Sequence, residues 1–181
     1  MSSEELNELH EHVEHAKHDP SLAPVSVTMA ILAVLVAIVS LLGHRAATEA
    51  VLNQAKASDQ WAYYQAKTIR GHEDTLFANL TAVTPASNAE ALSKVREEYL
   101  REAERYKDDQ KEIEAEARKL EQEVALEQKR ANRFDLGEVF LEVALVITSI
   151  TLLSKRRMFW QLGLLLGVTG IVLAATGFLV S

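Results

Sequence analysis

Hydrophobic positions along this chain fall into two regimes. Three runs, 25–43, 136–154 and 159–180, are apolar almost throughout and long enough to cross a bilayer as helices. Between the first two lies a charged stretch, 44–135, where weakly apolar residues recur at steps of three and four. Tyr99, Ala103, Tyr106, Gln110, Ile113, Ala117, Leu120 and Val124 form such a seam, the pattern of a coiled coil. The same phase runs on through Ala131 and Phe134 to Glu138 and Leu145, and no proline interrupts it. The pattern predicts one continuous helix over 89–153 that starts in water and ends in lipid. At about 1.5 Å per residue it would be about 100 Å long.

The first apolar run opens with Pro24, which suits a first helical turn. Ser26, Ala30, Ala33, Ala37, Ser40, His44 and Ala47 then recur at steps of four and three. Such a stripe lets another helix backbone approach closely in lipid. Good helix formers follow Gly43, so this helix is expected to continue into the charged stretch, to about residue 79. The break falls near 81–88, where Thr84-Pro85 ends one helix and Ser87-Asn88-Ala89-Glu90 has the form of a capping box for the next. A connection that short makes the two helices antiparallel neighbours, with Gly71 as a weak point of the first. If they leave the membrane near Gly43 and Asp135, facing residues have numbers summing to about 178, which sets Trp61 against Ala117. Trp61, Tyr63 and Tyr64 lie roughly 27 Å beyond the first span, too far for a membrane-interface belt. They are either core residues of the hairpin or a partner-binding patch.

The third run carries Gly163, Gly167, Gly170, Ala174 and Gly177 on one stripe. Together with Ala30, Ala33 and Ala37 they are the expected helix-packing positions, within one subunit or between subunits. Lys155-Arg156-Arg157 joins runs two and three. A short basic loop of this kind is expected on the cytoplasmic side, which makes the amino terminus cytoplasmic and the 44–135 arm external. Phe159 and Trp160 are interfacial anchors.

Ionisable groups change this picture in two places. Glu138 and Glu142 share a helix face within the second apolar run, and His44 and Arg45 end the first run on the same side. Carboxylates in a span are costly unless they face protein or water. The four groups are expected either to lock span one to span two by ion pairing or to line a proton or cation path. The second place is segment 1–24, where His10, His12, His15 and His18 alternate with acids. His12, His15 and His18 are weak candidates for a metal site, against a solvated face that titrates near neutrality. This segment lacks the basic start of a secretory leader, so the first run is expected to remain as an anchor.

Composition removes several classes. There is no cysteine, hence no disulfide, thiolate chemistry or Cys-bound zinc. The net charge is −7, and 44–135 is nearly balanced in sign, which argues against nucleic acid as a partner. No phosphate loop, nucleophile elbow or HExxH motif occurs, and no cofactor, small-molecule substrate or catalytic residue is expected.

Leu41-Leu42-Gly43-His44-Arg45-Ala46-Ala47-Thr48-Glu49-Ala50, followed by Asp59-Gln60-Trp61-Ala62-Tyr63-Tyr64-Gln65-Ala66-Lys67-Thr68-Ile69-Arg70, resembles the signature of the bacterial domain-of-unknown-function 4337 family. The resemblance covers most of the chain and implies a bacterial membrane protein without adding an activity. The expectation is therefore an all-α protein of the bacterial inner membrane, with three transmembrane helices and a long antiparallel coiled-coil arm between spans one and two. Its expected role is non-enzymatic: a structural, assembly or docking subunit that self-associates. The alternatives are a small channel or transport subunit using His44, Arg45, Glu138 and Glu142, or a metal or pH sensor using the amino-terminal histidines.

Overall fold

The computed structural model describes residues 22–85 and 87–180. Among them are three α-helices and no strand: α1 (Ala23–Val83), α2 (Ala89–Ser154) and α3 (Arg157–Gly177). The amino-terminal histidines lie outside the described residues. Each helix contains a segment long and apolar enough to cross a membrane. The chain divides into two compact units, one of residues 22–49 and 126–180, the other of 50–125, so α1 and α2 contribute to both.

In the 50–125 unit, α1 ends one turn later than its composition predicts. Its last helical residue is Val83, and Thr84 precedes Pro85, which disfavours helical geometry in the residue before it. The expected capping box does not form. Asn88, rather than Ser87, caps α2, with its Oδ1 accepting the Ala91 backbone N–H at 3.0 Å. Glu90 is left to pair with Lys94 at 2.8 Å. On α2 the buried residues are Ala103, Ile113, Ala117, Leu120 and Val124. On α1 the covered positions step by three and four through Ala50, Asn53, Ala57, Gln60, Tyr64, Lys67, Gly71, Asp74 and Ala78. Contacts between the helices pair rising numbers with falling ones. The Trp61 indole N–H donates to Glu121 at 2.8 Å, Lys67 meets Asp109 at 2.7 Å, and Phe77 stacks on Tyr99 at 5.6 Å between centroids. Gly71 does not break α1. A Cβ there would come within 3.4 Å of that of Tyr106, so glycine gives the neighbouring ring room.

Lys67 is the most enclosed ion pair of this unit, with its side chain 14% exposed and its ammonium over the rings of Tyr106 at 4.9 Å and Tyr63 at 5.4 Å. The hydrogen bond to Asp109 raises its pKa above the ordinary 10.5, against the opposing pull of desolvation. A raised lysine pKa means that the ammonium stabilises the fold fully below 10.5, and that this contribution is lost as pH climbs through the raised value. Lys67→Met is expected to lower the melting temperature of the full chain by a few degrees near neutrality, read by circular dichroism. The gap to the parent chain should close only as pH climbs past the raised value, above the ordinary lysine 10.5, where the lysine of the parent becomes neutral.

In the 22–49/126–180 unit, α3 has an inverted surface. Its buried residues are Gly163, Gly167, Gly170, Ala174 and Gly177, while Leu165 and Val168 are 63% and 60% exposed. The buried positions of α2 are Gly137, Leu141, Ala144, Thr148 and Thr151. A Cβ at Gly137 would stand 2.7 Å from that of Ala174, and one at Gly170 would stand 2.8 Å from the Gly137 carbonyl oxygen. Backbone is against backbone at that point, which is why glycine occupies both sides. The α2 seam therefore changes phase. Beyond Phe134 the buried line runs through Gly137 and Leu141, not through Glu138 and Leu145 as the heptads predict, because closest packing on α3 selects the smallest residues. The α1 segment packs through Val25, Met29, Leu32, Val39, Gly43 and Ala46. Leu32 lies where a Cβ on Gly167 would reach it at 2.9 Å. The Trp160 indole N–H donates to Thr28 Oγ1 at 3.1 Å, tying α3 to the start of α1.

Candidate functional site

The packing of α1 and α2 within this unit leaves a groove of about 670 Å³ along one side. Its α1 wall is Ala33, Ala37, Ser40 and His44, and its α2 wall is Glu138, Glu142 and Leu145. Both walls follow from the register just described. Because α1 buries the Leu32–Val39–Gly43 face, the small stripe expected to pack is turned outward. Ala30, Ala37 and His44 are exposed, and Ala33 and Ser40 are half-buried. Because α2 buries Gly137 and Leu141, the neighbouring Glu138 is half-buried and Glu142 is exposed.

The expected ion-paired lock between spans one and two is absent from these residues. Among the described residues no salt bridge joins His44 or Arg45 to Glu138 or Glu142. Arg45 points away from the groove and lines a second hollow with Glu49, Glu127, Arg130 and Phe178. The ion pair formed there is Arg130 with Glu127, at 2.6 Å. Arg130 also donates to the Val180 carbonyl at 3.2 and 3.3 Å, which fastens the end of the chain beyond α3 to α2. Beside it the Phe134 ring meets Phe178 edge-on at 5.3 Å. Three of the four ionisable groups thus share one groove, and the fourth lies around the corner.

The other expected positions fall as follows. Gly163, Gly167, Gly170 and Gly177 are buried against α2 or α1. Trp61 and Tyr64 are half-buried in the 50–125 unit, and Tyr63 is 50% exposed. Trp61 touches Tyr64 edge-on at 5.6 Å, and Arg118 lies 5.9 Å from its ring, while Ala117 on α2 is fully buried. His12, His15 and His18 fall in the undescribed segment. Among the described residues no group of three or more His, Asp or Glu side chains is placed to hold a metal ion. Gly137 was missed by sequence reasoning, although its signal is present. Gly137, Leu141, Ala144, Thr148 and Thr151 step by four and three, the same small-residue rhythm as on α3.

A family model described as Domain of unknown function (DUF4337) matches residues 21–180. No curated protein and no solved structure matches the chain.

Proposed function

The chain belongs to the domain-of-unknown-function 4337 family, and from that premise we propose that it is a non-enzymatic, multi-pass protein of the bacterial inner membrane that serves assembly. In this reading the three apolar helices are spans. The 50–125 unit is an antiparallel coiled-coil arm outside the lipid, and the whole self-associates or docks a partner complex. One observation carries the reading. In the 22–49/126–180 unit α3 buries only glycine and alanine, while Ile31, Val34, Ile38, Val146, Leu165, Val168 and Val172 are exposed across the three helices. A water-soluble protein rarely exposes so large a contiguous apolar surface. In a bilayer the same surface is solvated by acyl chains, and association is gained by close packing of small residues. The falling register of contacts in the 50–125 unit supports the antiparallel arm.

The basic connection Lys155-Arg156-Arg157 favours a cytoplasmic loop, hence a cytoplasmic amino terminus and an external arm. The parent chain has no cysteine, so a single introduced thiol reports without background. Ser93→Cys is expected to react with a membrane-impermeant maleimide in intact spheroplasts, while Arg156→Cys reacts only after permeabilisation. The reverse pattern would invert the topology. Release of the parent chain from membranes by alkaline carbonate would overturn the membrane reading altogether.

The groove supports a second reading, a small channel or transport subunit, because His44, Glu138 and Glu142 line one open passage. Purified chain in liposomes tests it. Proton or cation flux that disappears in Glu142→Gln would favour transport, and the absence of flux in the parent chain would leave assembly alone standing.

A further inference from the structure

The groove between α1 and α2 has two properties that do not fit a surface facing acyl chains. It presents carboxylates, and its α1 wall sets the small residues Ala33, Ala37 and Ser40 between Val36 and Leu41. Among the described residues Glu138 and Glu142 have no ion-pair partner, and neither does Arg45. Arg45 lies one helical turn beyond Leu41, a lining residue of the groove, and around the corner of α1 from its α2 wall. Contacts set the relative depths: Gly43 lies against Phe134 and Asp135, and Leu32 and Ala144 both lie against Gly167. Glu138 is therefore level with about Ser40, roughly 7 Å along the axis from Arg45, a distance the two extended side chains span between them.

From this complementarity we propose that the groove is filled by a second copy of this chain, in a two-fold dimer whose axis runs along the membrane normal. The stripe Ala33, Ala37 and Ser40 of one protomer packs on the same stripe of the other. A two-fold interface must be self-complementary, and a small face against itself meets that condition while bringing the backbones close. The same operation carries the Arg45 and the Ser40 of each protomer towards the Glu138 of the other. Carboxylates that would otherwise face lipid gain a guanidinium and a hydroxyl, and the lock expected within one chain forms between two. The inference rests on the membrane reading above.

The test uses the full chain in native membranes. Ala37→Cys is expected to form a disulfide-linked dimer under mild oxidation, and Val168→Cys, on the outward face of α3, is not. Glu138→Arg and Arg45→Glu, expressed separately, should each lower the dimer fraction at least tenfold in detergent by light scattering. Differently tagged copies of the two variants, expressed together, should co-purify, because every contact across that mixed interface again joins opposite charges. Retention after carbonate extraction shows that each variant is inserted. A chain retained in membranes but monomeric, with lipid bound in its place by native mass spectrometry, would overturn the dimer and leave the membrane reading intact. So would Ala37→Cys that fails to cross-link, or tagged variants that do not pair. A chain that carbonate releases would remove the premise instead.

Discussion

Gly170→Leu is expected to abolish the packing of α3 on α2. Two of the three nearest atoms at this position are backbone, the Gly137 carbonyl oxygen at 2.8 Å from an added Cβ and the Leu141 amide nitrogen at 3.1 Å, and the third is the Leu141 Cγ at 2.9 Å. A flexible side chain could swing aside, but a helix backbone must translate, and it would take Ala174, Gly177 and their contacts with it. Overpacking ordinarily costs about 1–3 kcal/mol, and a clash with immovable atoms falls at or above the top of that range. Gly170→Ala meets the same atoms with one carbon and is expected to show a smaller loss. Leu165→Ala, on the exposed face of the same helix, should leave stability in detergent nearly unchanged. Thermal unfolding of the three variants in one detergent checks the order. Equal losses for Gly170→Leu and Leu165→Ala would mean that α3 does not rest on its glycine face.

Phe134→Ala carries the second large effect. The ring is 4% exposed, lies about 3 Å from where a Cβ on Gly177 would sit, and packs edge-on against Phe178. It fills the space where the end of α3 meets α1 at Gly43, and Gly43 and Gly177 are small to admit it. Removing a buried aromatic ring typically costs about 3–5 kcal/mol, and the walls here are helices that cannot close inward. Phe134→Leu retains part of the volume and should lose less than half as much. Denaturant unfolding in mixed micelles measures both. Arg130, one turn away, holds the Val180 carbonyl, so protease trimming after residue 177 should also quicken in Phe134→Ala.

The helices were legible in the sequence because their signals are long and redundant. Three apolar runs mark the candidate spans, and Pro85 with Asn88 marks the turn between α1 and α2. The α2 seam from Tyr99 to Val124 was legible because it contains Ile113, Leu120 and two tyrosines. Its α1 counterpart was not. Ala50, Asn53, Ala57, Gln60, Lys67, Gly71 and Asp74 are covered yet carry no hydrophobic period, because what α2 needs from them is smallness or a polar partner. The same physics explains the misjudged groove. Small residues on α1 and charged residues on α2 were each read as interior by type, whereas burial in this unit is decided by how closely backbones can approach. Leu32 and Val39 turn inward because α3 offers them glycines to rest on, and that leaves Ala37 and Glu142 outside. Periodicity within one helix says which residues share a face. Which face is used depends on the partner.

Only Lys155 and Arg156 separate α2 from α3, and Lys155 takes the left-handed backbone, φ 54°, to make the reversal. Glycine adopts that conformation without steric cost, and lysine does so at some expense. The tightness of this reversal has a consequence for the order of events as the chain matures. The last two helices find each other through near neighbours in sequence, so they can zip together as a local pair almost as soon as both exist. The start of the first helix meets the third across a separation of 132 residues, that between Thr28 and Trp160, and contacts so remote are slow to close. A nascent chain should therefore complete its rear pair early and wait for its front. A truncated product beginning after residue 125 would keep the glycine contacts, and one ending before 157 would lose the Gly167 seat of Leu32 and the Trp160 bond to Thr28.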